Sequence, residues 1–180
     1  STQEGWLAEK LAEATGRWTV LAQQVPFLQR KRPMDGDAHF HGDKWDGYVA
    51  ARQRLFDAAA AADVEGLIAL SGDVHKNWAG RLKADFDDPD SATLGNEFVA
   101  TSIASDGDGK DATGTQRKTV AANPHILFAN GQRGYLRCRV TRDEWRTDFR
   151  IVPYVSKPGA PVTTRASFIV DRASRRLAPV

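Results

Sequence analysis

Asp73 and His75 stand two residues apart, directly after the apolar run Leu67-Ile68-Ala69-Leu70 and the pair Ser71-Gly72. A carboxylate oxygen and an imidazole nitrogen together suit a metal ion of intermediate hardness. A short apolar run bounded by a turn residue predicts a strand buried on both faces. In open α/β sheets ligands bind just beyond the carboxyl ends of strands, where this Asp-x-His falls. Spacing alone leaves two readings open. The pair ligates a metal, or the aspartate caps a turn while the histidine satisfies a backbone carbonyl.

Other candidate chemistry is weaker. His39-Phe40-His41 is an H-x-H pair, but it lies in a segment without periodicity and has no defined third ligand. Two solvent-facing histidines are therefore the favoured reading. Asp106-Gly107-Asp108-Gly109-Lys110-Asp111 is like a calcium loop at first sight. Counted from Asp106, Asp111 and Arg117 stand where an EF-hand needs Gly and Glu, so a flexible Gly/Asp turn is favoured. Cys138 shares strand parity with Leu136 and Val140, which predicts a core thiol rather than a nucleophile. His125 follows a proline break and reads as a turn residue.

The elements that must position these residues alternate between types. Ser1-x-x-Glu4 is a capping box, and Leu7, Leu11 and Ala14 recur at helical spacing up to Gly16. Residues 18–25 predict a strand closed by Pro26. Residues 26–47 show no period and hold Pro33, Gly36, Gly42 and Gly47; so long a connection is expected to be functional or mobile. Asp46 or Gly47 can cap a following helix whose face is Tyr48, Leu55, Ala59 and Ala62, with Arg52 and Arg54 away from it. Strand, helix, strand in this order predicts that 18–25 and 67–70 are parallel neighbours. Beyond His75, strands are expected at 77–86 and 97–103 and a short helix at 112–122. Two strands at 126–128 and 135–140 are expected to be joined by a glycine turn. Residues 145–152 alternate as an antiparallel strand, and 168–170 form a last one.

Bulk properties bound the function. The chain has 180 residues, 41% of them hydrophobic and 27% charged, as one folded domain would. A net charge of +2 is too small to point to nucleic acid. Arg165, Arg172, Arg175 and Arg176 read as a solvated tail. One cysteine allows no internal disulfide. No run approaches the length of a membrane span, and no signal sequence precedes the first helix.

Taken together, several stretches resemble the PhoD-like (alkaline phosphatase D) family. These are Leu21-Ala22-Gln23-Gln24-Val25, Trp45-Asp46-Gly47-Tyr48 with Arg52 and Arg54, Leu70-Ser71-Gly72-Asp73-Val74-His75 and Gly95-Asn96-Glu97-Phe98. Thr101-Ser102-Ile103-Ala104-Ser105-Asp106, Asn123-Pro124-His125, Asn130-Gly131-Gln132-Arg133-Gly134-Tyr135 and Val152-Pro153-Tyr154-Val155 continue the likeness in order. The family is part of the calcineurin-like metallophosphoesterases. The resemblance implies an α/β (α+β) fold, the carboxyl-terminal half of a four-layer α/β/β/α sandwich. Its sheets would be mixed, with antiparallel carboxyl-terminal strands. It implies hydrolysis of phosphate monoesters and diesters with iron(III) and calcium, in a secreted or periplasmic protein. Asp73 and His75 would be the last metal-ligand motif. The amino-terminal half that carries most of the family's ligands has no counterpart here. The chain is thus expected to be a single partial domain with that half as its partner, or else a non-catalytic binding or interaction module. Trp45, Asp46 and Tyr48 beside the long loop, and Asn77 just after His75, are expected around the substrate pocket.

Overall fold

The apolar run at residues 67–70 becomes the second strand of a five-stranded sheet in the computed structural model, which describes residues 1–34 and 37–180. In chain order the elements are helix α1 (Thr2–Ala12), strand β1 (Thr19–Ala22), the hairpin β2 (Arg32–Met34) and β3 (Asp37–His39), and a 3-10 turn at Trp45–Gly47. Helix α2 (Val49–Ala61) leads to β4 (Leu67–Ser71), β5 (Asn77–Lys83) and β6 (Thr93–Val99). Helix α3 (Gly114–Ala121) precedes β7 (Ile126–Asn130), β8 (Arg133–Val140), β9 (Glu144–Val152), β10 (Thr163–Asp171) and β11 (Leu177–Pro179). Gly36, counted above among the glycines of the long connection, lies outside the described residues.

The larger sheet has the order β1-β4-β6-β5-β7. β1 pairs with β4 in parallel, Thr19 opposite Leu67 and Ala22 opposite Leu70, as the strand-helix-strand order predicts. β4 and β6 are also parallel, whereas β5 is antiparallel to both its neighbours. Gly95 in β6 is required by the close approach of β4. A Cβ there would stand 2.5 Å from the Leu67 carbonyl oxygen. The second sheet, β11-β10-β9-β8, is wholly antiparallel.

Strand alternation sorts the side chains into layers. Ile68, Ala79 and Phe98 face Trp145, Phe149, Phe168, Val170 and Leu177 of the second sheet, forming one core between the sheets. Ala69, Trp78, Leu82 and Val99 point the other way and meet Leu55 and Phe56 of α2, with Phe27 and Leu28. Leu11 of α1 and Ala59 of α2 close over Leu67. The chain therefore supplies helix, mixed sheet and antiparallel sheet, in that order.

Several local expectations change. α1 starts at the Ser1 cap, whose hydroxyl accepts from Glu4 N at 3.2 Å, but ends four residues before Gly16. β6 lies four residues earlier than expected, and residues 100–103 already belong to a loop. β7 and β8 are not a hairpin: β7 adds to β5 in the first sheet and β8 to β9 in the second. The short turn hands the chain from one sheet to the other, a choice that local turn chemistry does not encode. Cys138 is exposed, because β8 is the edge of its sheet and nothing covers its far end. The terminal arginines are not a free tail. Arg175 donates to Asp63 Oδ1 at 2.9 Å, Arg172 pairs with Glu65, and Leu177 is buried under β10.

Two buried carboxylates organise the strands. Asp148 of β9 accepts from Ser167 Oγ at 2.6 Å, Arg137 Nη2 at 2.6 Å and Arg146 Nε at 2.9 Å. Burial would raise its pKa, but these bonds outweigh that and hold it at about 2. Glu97 of β6 has no exposed surface. It accepts from Phe27 N at 2.8 Å, Leu28 N at 2.7 Å and Ser71 Oγ at 2.6 Å.

Because the folded pKa of Asp148 is depressed, its contribution is complete above its ordinary value of 3.8 and is lost as pH falls through about 2. Urea unfolding at several pH values should show wild type losing stability over that window, and Asp148→Asn, already weaker at neutral pH, losing less of it than wild type does. Glu97→Ala would leave two buried backbone N–H groups and a hydroxyl unpaired. A loss of about 3–5 kcal/mol in urea unfolding is expected.

Candidate functional site

β4 ends in a strained turn. Gly72 N still bonds the Gln24 carbonyl at 3.1 Å, and Val74 N folds back on the Gly72 carbonyl at 2.8 Å. Asp73 (φ 69°) and His75 (φ 50°) both take the left-handed conformation. Two such non-glycine residues so close together carry a conformational cost that the surroundings must hold in place. The holding group is Arg133 of β8, which is 5% exposed. Its Nη1 donates to the His75 carbonyl at 2.7 Å, to Ser102 Oγ at 2.9 Å and to Thr101 Oγ1 at 3.2 Å. Arg133 thereby ties the Asp73–His75 turn to the 101–109 loop. That loop is braced rather than flexible. Gly109 (φ +73°) sits where a Cβ would lie 2.3 Å from the Gly131 carbonyl oxygen.

The acidic residues of this loop take separate partners, not a shared one. Asp106 accepts from His75 Nδ1 at 2.7 Å, and that bond is the main cause of its lowered pKa. Asp108 accepts the backbone N–H groups of Val155 and Ser156 at 2.7 and 2.8 Å. Asp111 takes Arg165 Nη2 at 2.9 Å.

Asp73 and His75 open onto a cavity of about 280 Å³. Arg30, Arg32, Lys44 and Lys76 line it, against Asp43 and Asp73. Lys44 bonds Asp73 Oδ2 at 2.5 Å and Asp43 Oδ2 at 3.1 Å, and the Asp73 contact is the main cause of its raised pKa. The remaining cations face the space without a carboxylate bonded to them among the described residues. Burial lowers the pKa of Lys76. An anionic ligand is what such a field attracts.

Arg30 and Arg32 reach this cavity because an irregular segment is clamped at almost every backbone group. Besides Glu97 on Phe27 and Leu28, His125 Nε2 bonds the Gln29 carbonyl at 2.7 Å, and Asp46 accepts from Arg30 N at 3.1 Å. Asn123 accepts from Lys31 N at 2.9 Å and donates to its carbonyl at 2.8 Å. Arg52, expected on the outer face of its helix, is instead 3% exposed. It donates to Asp46 Oδ1 at 2.8 Å and to the Phe27 carbonyl at 3.2 Å. Its charge neutralises the buried Asp46, which overrides the helical parity. His125 is likewise no mere turn residue; it is 6% exposed and holds the clamp.

The other expected pocket residues fall elsewhere. Trp45 packs on Phe27 with ring centroids 4.6 Å apart and donates to Gln23 Oε1 at 2.6 Å. Asp46 is spent on Arg30 N and Arg52, and Tyr48 is 61% exposed. Asn77 is 1% exposed and braces the loop: its Nδ2 donates to Asn130 Oδ1 at 3.1 Å and its Oδ1 accepts from Thr101 N at 3.2 Å. None of these four lines the cavity. His41 does, and its Nε2 accepts from Arg32 Nη1 at 2.7 Å; His39 does not. The cationic lining, Arg30, Arg32, Lys44 and Lys76, is spread over three separate stretches of the sequence. Its one signal was the basic run Arg30-Lys31-Arg32 in a segment without periodicity.

The donor chemistry fits part of a metal centre. A ligating histidine commonly gives its second ring N–H to a carboxylate, as His75 Nδ1 does to Asp106, which leaves Nε2 for a metal. Asp73 adds an oxygen. Among the described residues no group of three His, Cys, Asp or Glu could hold a metal ion, so the pair is at most one side of a ligand shell.

A sequence profile of PhoD-like phosphatases matches residues 1–149. Alkaline phosphatase D of Bacillus subtilis (strain 168) is 41% identical over 170 residues, which cover 94% of this chain and 29% of that protein. A solved structure described as the structure of PhoD superposes with a TM-score of 0.95 at 39% identity, covering 100% of this chain and 34% of that one. The chain thus spans about a third of the length of these relatives.

Arg133→Met removes the tie between the turn and the loop. Amide hydrogen exchange is expected to quicken across residues 73–75 and 101–109, with a stability loss of about 2–3 kcal/mol. Unchanged protection there would contradict this role.

Proposed function

This chain belongs to the PhoD-like phosphatase family, and from that premise we propose that it forms the carboxyl-terminal side of a metal-dependent phosphoesterase site. Its substrates are phosphate monoesters or diesters. The observation that carries this reading is the placement of Asp73 and His75, on one strained turn, at the mouth of a cation-lined cavity.

Within this chain the roles divide. Asp73 and His75 supply an oxygen and a nitrogen to the metal centre. Asp106 fixes the ring of His75 and its tautomer. Lys44 balances the charge of Asp73. Arg30, Arg32 and Lys76 draw the anionic ester in and hold it. Iron(III) and calcium are the proposed metals; when bound they would polarise the phosphoryl oxygens and make a nucleophile available at neutral pH. The remaining ligands come from an amino-terminal half, which is the proposed partner of this chain within one catalytic domain. A secreted or periplasmic setting is part of the same proposal. No helix among the described residues is long and apolar enough to cross a membrane.

A second reading has its own support. With only two candidate ligands side by side among the described residues, the chain alone would be a folded binding module without catalysis. Metal analysis tests the second reading: iron or calcium held at stoichiometric amounts by the isolated chain would contradict it, and the protein with both halves is expected to hold both metals.

Joined to its amino-terminal half, the protein is expected to release p-nitrophenol from p-nitrophenyl phosphate or its bis ester. Asp73→Ala and His75→Ala should each lower kcat/KM by on the order of 100-fold or more, and Asp106→Asn by about 10-fold. Full activity in both alanine variants would contradict the assignment.

A further inference from the structure

Seven buried side-chain N–H donors lack an acceptor among the described residues; those of Gln23, Arg133, Arg150 and Arg172 lie apart, and the other three belong to side chains that line one cavity. They are Arg30 Nε, Trp78 Nε1 and Gln116 Nε2. The residues are 8%, 3% and 3% exposed. They come from different parts of the fold: the clamped segment after β1, strand β5 and helix α3. Four of the orphans are scattered, but three converge on one space, and that convergence asks for a ligand or ordered water. The one buried side-chain acceptor without a partner among the described residues, Asn96 Oδ1, is not in this cavity. The unpartnered groups around the space are therefore all donors.

The donors are held in position. The Arg30 guanidinium stands 5.5 Å over the Trp78 ring. Gln116 is the third residue of α3 and completes a capping box with Thr113. Its Oε1 accepts from Thr113 N at 3.0 Å, which fixes the amide and leaves Nε2 as the free end. Arg32 and Lys76 add positive charge on the same wall. A ligand that accepts several hydrogen bonds and carries negative charge meets all these demands, and a tetrahedral oxyanion is the compact form of one.

We propose that Arg30, Trp78 and Gln116 form a phosphoryl-oxygen cradle beside Asp73 and His75. The cradle binds the phosphoryl group through its non-bridging oxygens and does so without metal. The assignment rests on the phosphoesterase reading for its ligand, a phosphate ester. Its test reads binding rather than turnover, so the two fail separately. Hydrolysis that persists when Arg30 and Gln116 are changed sinks the cradle alone. Phosphate binding through these donors, with no ester hydrolysis by the metal-loaded protein that has both halves, sinks the phosphoesterase reading alone.

The experiment is a titration of this 180-residue chain, metal-free, with inorganic phosphate and, in a second arm, with phenylphosphonate as a non-hydrolysable ester mimic. The ¹H–¹⁵N signals of the Trp78 indole N–H and the Arg30 Nε–H report on the two donors directly. Both should move with one saturating curve in either arm. Gln116→Glu keeps the capping-box acceptor but replaces the donor with a negative charge, so it should keep the fold and weaken both ligands at least tenfold. Arg30→Lys should weaken them as well, and Arg81→Met, outside this cavity, should leave them unchanged. Signals that stay still, or drift without saturating, mean a water-filled cavity and overturn the cradle. So does a Gln116→Glu protein that binds as wild type does. Binding of inorganic phosphate without phenylphosphonate would overturn the ester assignment.

Discussion

The buried carboxylate of Glu97 is the constraint on which the site depends. It sits in the middle of β6 with no exposed surface. Burial pushes its pKa up, while the donors from Ser71, Leu28 and Phe27 pull it down. Two of those bonds tie Phe27 and Leu28, which lie outside every strand, to β6, and the third reinforces the β4–β6 ladder at Ser71. Ser71 ends β4 and leads into the Asp73–His75 turn. Phe27 and Leu28 begin the irregular segment that delivers Arg30 and Arg32. One acid in the core thus sets both walls of the cavity relative to each other. A buried charge is weak evidence for stability, and its service here is better described as geometry.

The same economy of polar groups recurs around the site. Asp46 and Arg52 neutralise each other and grip the segment from the helix side. His125 and Asn123 grip it from the α3–β7 side. Arg133 holds the strained turn from below, and Asp106 orients the ring of His75. None of these gripping residues lines the cavity. They determine where the lining residues stand, and preorganised cations in a recess serve a phosphoryl group better than mobile ones on a surface. The cations and the two candidate ligands occupy adjacent walls, an arrangement that suits a metal-dependent phosphoesterase with part of its ligand shell supplied from elsewhere.

The parts legible in the sequence were those governed by local pattern. The apolar run before Gly72 announced β4, and strand-helix-strand order announced its parallel pairing with β1. The alternation at Trp145, Thr147, Phe149 and Ile151 announced β9. The ordered family segments announced the phosphatase fold, borne out by the superposition. What stayed hidden depended on distant partners. Arg52 was assigned to solvent by helical parity, but Asp46 draws it inward. Cys138 had core parity, but an edge strand has no cover. Arg172 and Arg175 read as a loose end because Glu65 and Asp63 lie more than a hundred residues away in sequence. The basic lining was missed for the same reason: Arg30 acquires meaning only when Glu97, Asp46 and Asn123 have fixed its backbone.

The central claim is that Asp73 and His75 form one side of a metal centre facing a cationic phosphate pocket. Anomalous diffraction from crystals of this chain joined to its amino-terminal half, grown with iron, calcium and phosphate, tests it most directly. An anomalous peak within bonding distance of His75 Nε2 or an Asp73 carboxylate oxygen is expected, about 2.3–2.6 Å from the oxygen if it is calcium, with phosphate between that peak and Arg30. A metal bound elsewhere, with Asp73 still on Lys44 and His75 Nε2 free, would contradict it.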